Sequence, residues 1–79
     1  MAILRLFANA REAAGTDRDV IDGATVGAVL EAASDRYGQT FVDVLPTCKV
    51  WVNGEPCTPE TAVGADDEVA VLPPVSGGN

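Results

Sequence analysis

Histidine is absent from this 79-residue chain. With it go the commonest metal ligand and the commonest general base at neutral pH. Cysteine appears twice, at Cys48 and Cys57, too widely spaced for the C-x-x-C pair of a redox or zinc site. The spacing leaves a disulfide between them open. A cytosolic setting makes two free thiols the expected state, with packing or loop roles rather than catalytic ones. No glycine-rich loop opens onto a helix, so a phosphate cradle is missing as well. An enzyme with its own active site is therefore the least supported class. No apolar run approaches the length of a membrane span. Met1-Ala2 leads into a strand-like segment with no basic prelude of a signal peptide. A soluble, cytoplasmic protein is expected.

Basic residues are scarce: five against 12 acidic ones, for a formal charge of −7 and a pI near 4.1. Such a surface repels nucleic-acid phosphates. Two roles for the acidity remain, keeping a small domain in solution or guiding encounter with a basic protein surface. Apolar residues, by contrast, are plentiful. A hydrophobic fraction of 47% against 22% charged marks a globule rather than a disordered chain. The length suits one domain, with a stability of about 4–12 kcal/mol.

Residues Ile3 to Ala8 read as a first strand, and Asn9 to Asp17 as a polar stretch with a turn at Gly15-Thr16-Asp17. Arg18 to Ile21 supplies a short second strand. From Thr25 the period changes: Val26, Val29, Leu30, Ala33 and Tyr37 form one apolar stripe of an α-helix. Thr25 suits its N-cap and Gly38 its C-terminal stop. Phe41 to Leu45 is a short extended or single-turn connector ending at Pro46. Cys48 to Val52 reads as a strand, followed by Asn53-Gly54, the best hairpin signal present. Glu68 to Leu72 is the last strand, and Pro73-Pro74 stops it because proline has no N–H for a ladder. One main helix across a mixed sheet makes an α+β domain. With the first and last strands parallel at the centre it is the ubiquitin-like β-grasp. Another strand order fits the same pattern.

The tail, Pro73 to Gly78, carries the most chemistry. Two prolines stiffen the exit from the sheet, and Gly77-Gly78 provides backbone without side chains. Six residues reach at most about 20 Å, a shape suited to threading a narrow channel on another protein. A carboxylate exposed on Gly78 is an unhindered acyl group, but it must first be activated, for example as an acyl-adenylate. The bland alternative for a terminal Gly-Gly is a frayed end, and disorder from Ser76 onward is expected in the free chain.

The block Asp67-Glu68-Val69-Ala70-Val71-Leu72-Pro73-Pro74-Val75-Ser76-Gly77-Gly78 closely resembles the C-terminal signature of the MoaD–ThiS sulfur carriers. It is most similar to the branch that forms the small subunit of molybdopterin synthase. Phe7-Ala8 followed by Arg11-Glu12-Ala13-Ala14-Gly15, then Thr25-Val26-Gly27 and Val52-Asn53-Gly54-Glu55, extend the resemblance over nearly the whole chain. It implies a β-grasp domain over residues 1–74 and a glycine-rich tail over 75–79. It also implies that Gly78 carries an adenylate and then a thiocarboxylate, with Pro74, Val75, Ser76 and Gly77 lying in a partner's channel. The implied partners are an ATP-dependent activating enzyme and the large catalytic subunit of molybdopterin synthase, with no cofactor or metal held by the chain itself. The sulfur is destined for the dithiolene of the molybdenum cofactor precursor. One residue departs from the pattern. Asn79 follows Gly78, so Gly78 has no free carboxylate until that peptide bond is cut.

A sheet covered on one side by a helix leaves a second face for a partner. Phe7 and Leu72 are candidates for that surface, which the overall charge suggests is acidic and partly apolar. Core positions for both fit the pattern equally, and Trp51 raises the same question. Other functions share these features: a carrier serving thiamine or cysteine synthesis, or a ubiquitin-like modifier or binding module joined through Gly78 to lysines.

Overall fold

The computed structural model describes residues 1–73. Five strands form one mixed sheet: β1 (Ala2–Leu6), β2 (Arg18–Ile21), β3 (Lys49–Val52), β4 (Glu55–Pro56) and β5 (Glu68–Leu72). Their order is β2-β1-β5-β3-β4. The central pair, β1 and β5, is parallel, with Leu4 opposite Val69 and Leu6 opposite Val71. The remaining neighbours are antiparallel. Of the strand orders open from sequence, the chain adopts the β-grasp.

Three helices cover one side: α1 (Ala8–Ala14), α2 (Val26–Tyr37) and α3 (Gln39–Val44), the last running into a 3-10 turn at Leu45–Thr47. Alternation along the strands decides what they cover. Ala2, Leu4, Leu6, Val69 and Val71 point inward and meet Val26, Val29 and Ala33 of α2. The stripe read from the sequence is thus the buried stripe. Thr25 caps α2 by accepting the Ala28 N–H at 3.2 Å. The Val26 and Gly27 N–H groups donate to the Thr61 and Pro59 carbonyls at 2.9 and 2.8 Å. Gly27 permits that approach, since a Cβ there would sit 3.2 Å from the Pro59 oxygen.

Two segments differ from the reading above. The first strand ends at Leu6, and the stretch read as polar coil from Asn9 is helix α1 as far as Ala14. Its interior Ala10 is fully buried, and Ala13 and Ala14 pack on the core, so a small-residue face replaces the large apolar stripe that pattern reading seeks. The connector at Phe41 is helical, and Phe41 is the largest fully buried side chain. Its ring meets the Tyr37 ring edge-on at 5.2 Å.

Candidate partner-docking face and tail exit

The inward side chains of β1 and β5 leave Ile3, Arg5 and Phe7, and Glu68, Ala70 and Leu72, on the side away from the helices. Register extends this face across the sheet. Arg5 is opposite Arg18 and Ile3 opposite Val20 on β2; Leu72 is opposite Lys49 and Ala70 opposite Trp51 on β3. The Phe7 N–H donates to the Val71 carbonyl at 3.1 Å, which sets Phe7 beside the end of β5. Phe7 and Leu72, the two residues expected at a partner surface, therefore stand together on the open face, half-buried, outside the core. Trp51 joins them and is 37% exposed.

The face is not acidic, contrary to the expectation from overall charge. The Arg5 guanidinium lies 5.5 Å from the centre of the Phe7 ring and reaches Glu68 at 3.4 Å, with Arg18 and Lys49 exposed on the flanking strands. Alternation explains this: Arg18 and Val20, Arg5 and Phe7, and Lys49 and Trp51 are period-2 partners. The signal was present in the sequence, but net charge carries no information about which face holds which sign.

Leu72 and Pro73 also wall a groove that reaches Val26 and Leu30 of α2 and both cysteines. Cys48 and Cys57 are free, and their thiols donate to the Val44 and Val50 carbonyls at 3.4 Å. Burial pushes the Cys57 thiol up, away from the thiolate that nucleophilic work requires. Among the described residues no group of three or more acidic or cysteine side chains is placed to hold a metal. No helix there is long and apolar enough to cross a membrane. Pro74, Val75, Ser76, Gly77 and Gly78, the residues expected to carry the chemistry, lie outside the described residues, as does the expected disorder from Ser76.

The sequence profile of the ThiS family matches residues 4–78. The chain belongs to the ThiS family. Comparison with curated proteins gives no match. Among solved structures, this ThiS-family chain is similar to the crystal structure of SAMP1 from Haloferax volcanii, at 36% identity over 98% of both chains with a TM-score of 0.78. The solution structure of small archaeal modifier protein 1 from Methanosarcina acetivorans is 31% identical over 98% of this chain and 95% of that one, with a TM-score of 0.85. A Pyrococcus furiosus protein assigned provisionally as molybdopterin converting factor, subunit 1, is 25% identical over 94% and 97% of the two chains, with a TM-score of 0.79. The ThiS-family protein is thus a small ubiquitin-like chain of the sulfur-carrier and modifier class.

Proposed function

We propose that the chain carries sulfur as a thiocarboxylate on Gly78 and delivers it to the large subunit of molybdopterin synthase. The observation that supports this is the path of β5. It runs at the sheet centre beside Phe7 and passes through Leu72 into Pro73 and the Pro-Val-Ser-Gly-Gly run. A partner seated on the open face then lies within the roughly 20 Å reach of six extended residues. After Asn79 is cut away, a Gly78 carboxylate oxygen attacks the α-phosphorus of ATP on an activating enzyme, and pyrophosphate leaves. A sulfide-level nucleophile then displaces AMP at the acyl carbon and leaves the thiocarboxylate. ATP belongs to that enzyme and not to this chain.

A second reading is favoured by the 36% identity to SAMP1, above the 25% to the molybdopterin-related chain. In it the activated Gly78 is captured by a lysine amine, making an isopeptide bond to a target protein. One experiment separates the two. The full chain, a form ending at Gly78, and that form with Gly77→Val are each incubated with an activating enzyme, ATP and sulfide. Intact mass is expected to show an oxygen-for-sulfur exchange only in the second, because Asn79 moves the terminus about 3.5 Å and a valine obstructs a narrow channel. Conversion of the full chain with Asn79 retained contradicts the mechanism, and Gly-Gly adducts on lysines without a thiocarboxylate favour the modifier.

A further inference from the structure

The open face and the rest of the molecule carry opposite charge. Arg5, Arg18 and Lys49, three of the five cations, lie on the face with one carboxylate, Glu68. The other two cations and eleven carboxylates lie elsewhere in the chain. In a protein of charge −7, the strand residues of this face thus carry +2. Register makes the clustering costly, because Arg5 stands directly opposite Arg18 and like charges so placed destabilise a sheet. Glu68 holds Arg5 from the other side. Among the described residues no carboxylate lies within ion-pair distance of Arg18 or Lys49. Arg5 Nε is covered and has no acceptor. Between these cations the surface is apolar, with Phe7, Leu72, Trp51 and the 48%-exposed Val20.

We propose that this face docks a protein surface with an apolar centre and a carboxylate-rich rim. Two other occupants are disfavoured by charge. A second copy of the same face sets cations against cations, and a nucleic acid meets the acidic remainder of the chain. The docking proposal rests on the carrier reading only for what the partner does, not for the chemistry that recognises it. Acidic partners are repelled at long range by the −7 chain, so the local field and the apolar contacts must orient the encounter within a Debye length.

The test uses the isotope-labelled chain and two soluble synthetic peptides, one rich in leucine and glutamate, its twin rich in leucine and lysine. The acidic peptide is expected to shift the amide resonances of Arg5, Phe7, Lys49 and Ala70 and to change Trp51 emission. The basic twin is expected to shift α2 around Glu31 and Asp35. Lys49→Glu should weaken the acidic peptide about tenfold. Arg11→Glu, the same charge change at an exposed position of α1, should weaken it by less than about twofold. The proposal is overturned if the acidic peptide leaves the face unmoved, if the basic twin moves it equally, or if the two reversals act alike. None of these readouts involves sulfur transfer or lysine conjugation, so the carrier reading stands or falls separately.

Discussion

Asn53 holds a left-handed backbone, φ 52°, at the first corner of the β3–β4 turn, with Gly54 at φ 83° at the second. Both signs match the two-residue hairpin that Asn-Gly favours. The side chain adds a second role. Its Nδ2 donates to Asp67 Oδ1 at 3.0 Å and its Oδ1 accepts the Glu68 N–H at 2.9 Å, tying the turn to the start of β5. Asn53→Gly should keep the turn and lose these bonds, costing about 1 kcal/mol. Asn53→Ala should lose both bonds and tolerance of positive φ, costing about 2–3 kcal/mol. Urea unfolding of the two variants checks the order. The same bond, with the Gly64 N–H donating to Oδ2, lowers the Asp67 carboxyl below its ordinary 3.8. A depressed carboxyl contributes stability that is present above its unfolded value and lost as pH falls through the folded one. The gap between wild type and Asn53→Ala should therefore narrow below about pH 4. A gap that widens in acid contradicts this role for Asn53.

Among the elements, those with a strong period were legible and those without were not. Helix α2 follows from five apolar positions, a threonine cap and a terminal glycine, each doing in the fold what its residue type suggests. Helix α1 had no such pattern. Ala10, Ala13 and Ala14 pack by being small, and the Gly15 read as a turn is the left-handed residue that ends α1. Helix α3 is only six residues long, too short for periodicity to separate it from a strand. Its anchor is Phe41, wedged under α2. Phe41→Ala is expected to cost about 4 kcal/mol, because removing a fully buried ring leaves a large cavity. That is a third or more of the stability expected at this length. Phe7→Ala, on the half-buried open face, should cost about 1 kcal/mol. Thermal melts of the pair separate them, and equal losses contradict the assignment of Phe7 to the surface. The candidate site was legible in the same uneven way. Period-2 alternation paired Phe7 with Arg5 but did not say which side the helices cover, and only the register brings Lys49 and Arg18 to the same face.

For the molecule as a whole, the segregation of charge has a consequence for stability. The described fold measures 34 × 25 × 18 Å. The Debye length is about 30 Å at 0.01 M salt and about 8 Å at 0.15 M. At low salt the carboxylates of helices and loops therefore repel one another across the whole body, whereas at physiological salt each acts only on its neighbours. Unfolding separates them, so self-repulsion penalises the compact state. The two ion pairs among the described residues oppose this weakly. Arg36 with Asp19, at 2.9 Å, and Arg5 with Glu68 are partly solvent-exposed contacts, and pairs near the surface contribute about 0–1 kcal/mol. Screening should thus remove more repulsion than attraction. Raising sodium chloride from about 0.01 to 0.3 M is expected to stabilise the chain by about 1 kcal/mol. For a domain of this size that is a rise of about 4–8 °C in Tm. Glu31→Lys, on the exposed side of α2, should flatten the salt dependence, and Lys49→Glu should steepen it by adding an eighth net negative charge and a ninth. Melts at the two ionic strengths read both effects. A Tm that falls with salt, or identical slopes in the two variants, shows that attraction within the fold outweighs the repulsion between its carboxylates.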